Sequence, residues 1–356
     1  MIVSRRDLVA LGGAGVAAAL LPQRLCAQTP VAAGSPVESD ALLRLVDPQL
    51  RGPFLANRTV VDALTLPQVR ERMAAHIPPW LAHPPIVRRA IPGPKGAPDV
   101  AIAIINAGTA GAPRPVLLHL HGGGYVAGGI AGELAMAQRI ARDHECVVIS
   151  VDYRLAPETR FPGALEDNYA ALKWVVANAA DLGVDTARIA VMGTSAGGGH
   201  AAMLSAAAKD RGEVPISFQL LLSPMLDDRT GSSRPMPPHI GAFIWTPEAN
   251  RFGWSSFLGV PAGSHNVPEG AVPSRRRDLS GLPPTYIGVG SIDLFASENI
   301  EYAARLVTAG VPVELNVVPG AYHVFFAIKP DADASRQFRN SYSRALSRAF
   351  ATRLMS

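Results

Sequence analysis

At 356 residues and a net charge of +4, the chain lacks the concentrated basic charge of a nucleic-acid-binding surface. Its one basic run, Arg275-Arg276-Arg277, has no interleaved aromatics and adjoins Asp278, so it reads as a solvated turn. Two cysteines are too few for a disulfide framework, and Cys146, followed by Val147 and Val148, reads as a buried structural thiol.

The N-terminus reads as an export signal over residues 1–27. Ser4-Arg5-Arg6-Asp7 precedes an uncharged apolar run from Leu8 to Leu21, too short to span a bilayer comfortably, and Leu25-Cys26-Ala27 offers a cleavage site. The paired arginines resemble the twin-arginine type, which implies a periplasmic or secreted protein. Removing the signal leaves 329 residues, one cysteine and a net charge of +2. No other stretch is apolar enough to insert stably in a membrane. Residues 28–356 contain no low-complexity linker and no internal repeat, and are expected to form a single domain.

From Gln28 to about Pro85 the sequence is proline-rich, with short helical patches at Ser39 to Val46 and Leu66 to His76. Strand-like runs at Ile86 to Ile91 and Val100 to Asn106 look like a hairpin, followed by a loop from Ala107 to Pro115. Apolar strands are then predicted at Val116 to Leu120, Val147 to Val151, Ile189 to Met192, Phe218 to Leu222, Thr285 to Val289 and Val313 to Val318. Helical patterns lie between them at Glu133 to His144, Leu165 to Ala179, Ala196 to Lys209 and Ser297 to Ala309, and a last one runs from Ala334 to Ala351. This alternation predicts an α/β fold with a mostly parallel central sheet covered by helices on both faces. One interval breaks it. Residues 223–282 are rich in proline, glycine and aromatics, including Trp245 and Trp254, and are expected to form a cap together with the arm at 28–85.

The chemistry centres on Gly193-Thr194-Ser195-Ala196-Gly197. This G-x-S-x-G stretch follows a strand and opens a helix, a turn in which Gly193 and Gly197 let the backbones pass while Ser195 is pushed outward at a helix N-terminus. Serine needs a base, and the base needs a partner. His323 follows the last predicted strand and Asp293 the one before it, so a parallel sheet would bring Ser195, Asp293 and His323 to one edge. The strand at Val116 to Leu120 runs into His121-Gly122-Gly123-Gly124, whose amides, with that of Ala196, can face a developing oxyanion. His119 and His121 have the spacing of a metal-binding pair, but no third ligand accompanies them, and neither metal nor cofactor is expected.

His121-Gly122-Gly123-Gly124, Tyr153-Arg154-Leu155-Ala156-Pro157-Glu158, the serine motif, Asp293 and Gly320-x-x-His323 together resemble the bacterial hormone-sensitive-lipase family of α/β-hydrolase esterases, in its G-T-S-A-G branch. The resemblance implies an oxyanion hole of Gly123, Gly124 and Ala196, supported by His121 and Gly122. It also implies a serine carboxylesterase that acts on small esters with short to medium acyl chains, and often a homodimer. A lactone or an acetylated sugar as substrate, or a binding module on the same fold, stays open at this point.

Overall fold

The computed structural model describes residues 36–52, 55 and 60–352. The proposed export signal lies outside these residues. In chain order the elements are α1 Pro36–Leu43, α2 Leu66–Ala75, β1 Ile86–Ile91, β2 Val100–Ile105, β3 Arg114–Leu120, α3 Leu134–Asp143, β4 Val147–Asp152, α4 Gly163–Ala177, α5 Ala179–Leu182 and β5 Val184–Thr194. They continue with α6 Ala196–Arg211, β6 Phe218–Leu222, α7 Pro247–Leu258, β7 Thr285–Gly290, α8 Ala296–Thr308, β8 Val313–Val318, α9 Phe325–Ile328 and α10 Asp333–Ala351.

The strands form one sheet in the order β1-β2-β4-β3-β5-β6-β7-β8. The hairpin β1–β2 joins β4 antiparallel, and β4, β3, β5, β6, β7 and β8 are parallel. Strands buried on both faces can be apolar throughout, and their alternate side chains feed two cores. Along β3, Val116, Leu118 and Leu120 pack into the core shared with α4, α6 and α8, while Leu117 enters the one shared with α3 and α10.

Four expectations need correction. Strand β5 starts at Val184 rather than Ile189, and β3 starts at Arg114, inside the anticipated loop. Polar Asp185 to Arg188 hid this extension; they are half-buried at the sheet's end, where the Arg188 guanidinium bonds Asp185 and the Pro113 carbonyl. The interval 223–282 contains the helix α7, capped by the Thr246 hydroxyl accepting from the Ala249 amide, started by Pro247 and ended by left-handed Gly259. The basic run is not a solvated turn. Arg275 makes a two-pronged pair with buried Asp228 at 2.7 and 2.8 Å, and Arg276 pairs with Asp210, leaving only Arg277 exposed. A buried carboxylate is costly without such a partner, so Arg275 ties the interval back to the loop after β6. Among the described residues, no helix is long and apolar enough to cross a membrane.

Candidate active site

The parallel sheet sets the site, because β5, β7 and β8 all end on one edge. At the end of β5, a Cβ on Gly193 would lie 2.1 Å from the Gly197 carbonyl, and a Cβ on Gly197 would lie 2.1 Å from the Leu120 carbonyl at the end of β3, so the helix start fits against both strands only with glycine at both positions. Ser195 between them has φ 58° and ψ −120°, a conformation costly for any residue with a side chain. The surroundings hold it there: its amide donates to the Leu222 carbonyl at 2.8 Å, and its carbonyl accepts from the Gly199 and Met225 amides at 3.0 Å each. Strain of this kind, typically about 1–3 kcal/mol, persists where neighbours over-determine the conformation. The serine is also the N-cap of α6, whose last turn carries Lys209 and Arg211 before left-handed Gly212, so the positive end of the helix points at the hydroxyl.

Ser195 Oγ lies 2.9 Å from His323 Nε2, and His323 Nδ1 lies 2.9 Å from Asp293 Oδ2. A carboxylate can only accept, so Nδ1 carries the proton and Nε2 is left to accept from the serine hydroxyl. The other carboxylate oxygen of Asp293 accepts from the Phe295 amide at 3.0 Å, and the Phe295 ring stands edge-on to the imidazole at 5.2 Å. All three side chains are at most 5% exposed.

The loop after β3 fixes its peptides one by one. The His121–Gly122 peptide is held at its carbonyl by the Tyr153 hydroxyl at 2.5 Å and at its N–H by Glu133 Oε1 at 2.8 Å. The Gly122 carbonyl accepts from His121 Nδ1 at 2.8 Å, and the Gly123 carbonyl accepts from the Val126 and Ala127 amides at 3.2 and 2.9 Å. In a trans peptide the N–H points opposite the C=O, so anchoring these two carbonyls turns the Gly123 and Gly124 amides the other way. Among the described residues, neither amide, nor that of Ala196, donates to another protein group. Burial pushes the His121 imidazole below its ordinary pKa, which keeps it neutral and consistent with donation from Nδ1. Its ring stacks on Tyr153 at 4.1 Å, which gives the Tyr153-Arg154-Leu155-Ala156-Pro157-Glu158 stretch a direct contact with this loop. Arg154 pairs with buried Asp167, and Glu158 pairs with Arg70 of α2, whose guanidinium also donates to the Val126 and Ala156 carbonyls.

The 223–282 interval reaches the same place. A Cβ on Gly124 would lie 2.1 Å from the Trp245 ring, so the indole lies directly on the glycine. Ile244 before it sits at φ 67°, with the Trp245 amide donating to the Phe243 carbonyl at 2.8 Å, a tight turn that is rare and strained for a β-branched residue. The indole N–H is held by Asn250 at 3.2 Å. Trp254, read with Trp245 as part of the cap, is fully buried between Tyr125 and Phe257.

Several polar groups here escaped the sequence reading. Glu133 lies between the glycine loop after β3 and α3, and is taken up below. Glu298 of α8 is buried and accepts from the Leu226 and Asp227 amides, pinning the loop after β6; burial and the nearby Asp227 raise its pKa well above the usual carboxyl range. His119 binds Glu133 and Ser150, and no group of three His, Cys, Asp or Glu suited to a metal occurs among the described residues. Cys146 is buried, and burial pushes its thiol up to about 12, as a structural thiol requires.

A family model described as the α/β hydrolase fold matches residues 117–327. The carboxylesterase NlhH of Mycobacterium tuberculosis is 34% identical over 299 residues, covering 81% of this chain and 92% of its own length. A solved bacterial heroin esterase superposes with a TM-score of 0.78 at 37% identity, over 87% of this chain and 99% of that one. The esterase LipW from Mycobacterium marinum gives 0.76 at 34% identity, over 87% and 98%. The chain belongs to the α/β-hydrolase fold family, in its hormone-sensitive-lipase-like group, and is a carboxylic ester hydrolase acting on small-molecule esters.

Proposed function

We propose that Ser195 is the nucleophile of this hydrolase, His323 its general base and then general acid, and Asp293 the group that holds His323. The observation that carries this is the unbroken line from Ser195 Oγ through His323 to Asp293, with 2.9 Å at each step. Ser195 Oγ attacks the ester carbonyl carbon while its proton passes to His323 Nε2. The resulting oxyanion is received by the Gly123, Gly124 and Ala196 amides, which donate to no protein group among the described residues. His323 then gives its proton to the leaving alkoxide, and water repeats the sequence on the acyl-enzyme to release the acid.

Acyl chains of about two to six carbons fit this site best. The Trp245 ring against Gly124 supports that reading, because it walls the space beside two of the three proposed donors. The interval 223–282 and the arm at 28–85 are read together as a cap: one brings Trp245 to the loop, and the other brings Arg70 to its Val126 carbonyl. Gly193-Thr194-Ser195-Ala196-Gly197 favours the G-T-S-A-G branch. Residues 1–27 are read as a twin-arginine export signal, and changing Arg5 and Arg6 to lysine is expected to keep the protein in the cytoplasm. The activity test is hydrolysis of p-nitrophenyl esters from acetate to palmitate beside Ser195→Ala. A rate that peaks at short chains and vanishes in the variant supports the reading, and a variant that keeps more than a few per cent of the rate overturns it.

A further inference from the structure

Behind the glycine loop runs a second chain of serine, histidine and acid. Ser150 Oγ in β4 is 2.8 Å from His119 Nδ1, His119 Nε2 is 3.0 Å from Glu133 Oε2, and Glu133 Oε1 accepts the Gly122 amide at 2.8 Å. Ser150 and His119 are fully buried, and the Glu133 side chain is 23% exposed. Since the carboxylate only accepts, His119 carries its proton on Nε2 and accepts from the Ser150 hydroxyl, so every donor in the chain is used in one direction. The last donor is backbone. Gly122 precedes the two glycines read above as oxyanion donors, and it packs against the nucleophile turn: a Cβ there would lie 3.0 Å from the Thr194 carbonyl and 3.7 Å from Ser195 Cβ.

A glycine run has no side chains to hold its own shape, and a loop of three glycines samples many conformations at little energetic cost. The position of the Gly123 and Gly124 amides therefore depends on external anchors. Tyr153 holds the His121 carbonyl from one side, and Glu133 holds the Gly122 amide from the other. Glu133 itself lies at the start of α3, and among the described residues no other backbone group bonds its side chain, so its carboxylate is aimed by His119 and Ser150. We propose that Glu133 is a positioning residue for the ester reaction, aimed by His119 and Ser150 and acting through the Gly122 amide on the oxyanion donors. The proposal rests on reading Gly123 and Gly124 as those donors. It assigns a reaction role to a histidine whose spacing otherwise suggests only a metal ligand, and to an acid that no motif marks.

The test compares Glu133→Ala, Glu133→Asp and Glu133→Gln in the full chain, with Ser195→Ala as reference. Misplacing reacting groups by about 1 Å costs about 10²-fold in rate, so kcat for p-nitrophenyl butyrate is expected to fall by about that factor in Glu133→Ala with KM little changed. Glutamine keeps a carbonyl oxygen for the Gly122 amide and can donate to His119 with the ring tautomer reversed, so it should recover kcat to within about fivefold, a difference of about 1 kcal/mol. Aspartate keeps the charge but draws it back from Gly122 by one methylene, and should lose kcat while Tm stays near wild type. Affinity for a boronic acid, whose tetrahedral adduct occupies the oxyanion position, should fall in parallel with kcat across the three variants. Wild-type kcat in both Glu133→Asp and Glu133→Ala, with Ser195→Ala inactive, overturns this inference and leaves the esterase reading standing. If Glu133→Ala fails to fold, the aspartate variant decides alone. Activity retained in Ser195→Ala instead overturns the reading beneath it.

Discussion

Two chains of serine, histidine and acid lie in this molecule, and their parts match closely. In one, the Ser195 hydroxyl meets His323, His323 meets Asp293, and the second oxygen of Asp293 takes the Phe295 amide. In the other, the Ser150 hydroxyl meets His119, His119 meets Glu133, and the second oxygen of Glu133 takes the Gly122 amide. The distances run from 2.9 to 3.0 Å in the first and from 2.8 to 3.0 Å in the second. Hydrogen-bond geometry alone therefore does not make a reactive serine. Ser150 sits within β4 in an ordinary strand, paired in the sheet with Ala103 of β2 on one side and His119 of β3 on the other. Ser195 sits at a strained turn, at a helix N-terminus, beside three amides that donate to no protein group among the described residues. The first chain ends on a serine that can reach a substrate, and the second ends on a backbone amide that it holds still.

The comparison breaks most visibly at the serines. Ser195→Ala is expected to lower kcat by about 10⁴- to 10⁶-fold, as removal of an activated nucleophile does elsewhere, whereas Ser150→Ala should cost no more than about fivefold, the equivalent of one neutral hydrogen bond. Steady-state kinetics on one ester checks both. At the acids, Asp293→Asn should lower kcat by about 10⁴-fold, because an amide donor at this position favours the wrong imidazole tautomer. That effect should exceed the one expected for Glu133→Ala by about two orders of magnitude, which separates a group that orients the base from one that acts through a loop. A smaller effect concerns the wall over the donors. Trp245→Ala should raise the preference for octanoate over hexanoate by about tenfold in kcat/KM, since two further methylenes gain about 0.8 kcal/mol each when space opens to bury them. A ratio unchanged within twofold would remove Trp245 from the acyl site.

The smallest effect is on stability. His200, on the turn of α6 after Ser195, is buried among Tyr125, Tyr153 and Phe257, and neither ring nitrogen has a hydrogen-bond partner among the described residues. Burial, reinforced by the neighbouring His121, pushes its pKa down to about 3. An unfolded histidine titrates near about 6.5, so between these values the unfolded state binds the proton that the folded state refuses. The stabilisation is therefore complete above pH 6.5 and is lost as pH falls toward 3. His200→Leu should make Tm fall less steeply over that window, and a parallel decline in variant and wild type would show that His200 does not set it.

The sheet, its crossover helices and the positions of Ser195, Asp293 and His323 were legible because each depends on local pattern. Continuous apolar strands, the glycines around Ser195 and the order of the loops after β5, β7 and β8 are all written in adjacent residues. The extension of β5 back to Val184 was not legible, because Asp185 and Arg188 satisfy each other at the sheet's end and look like loop. Thr246-Pro247-Glu248 and Gly259 do carry the start and stop signals of α7, but they were hidden inside an interval read by composition. Glu133 had no such signal. It is brought to Gly122 by the packing of α3, and its meaning comes from what Ser150 and His119, on two neighbouring strands, do to it. The same holds for Arg275, whose partner Asp228 is 47 residues away.

The central claim, that two matching chains differ because only one serine is presented for attack, is tested most directly by labelling. The protein would be incubated with a p-nitrophenyl phosphonate, which leaves a stable tetrahedral adduct on a reacting serine, then digested and mapped by peptide mass spectrometry. A stoichiometric adduct on the Ser195 peptide with none on the Ser150 peptide, and no adduct after Ser195→Ala, is the predicted result. Full inactivation with the label on any other residue would contradict it.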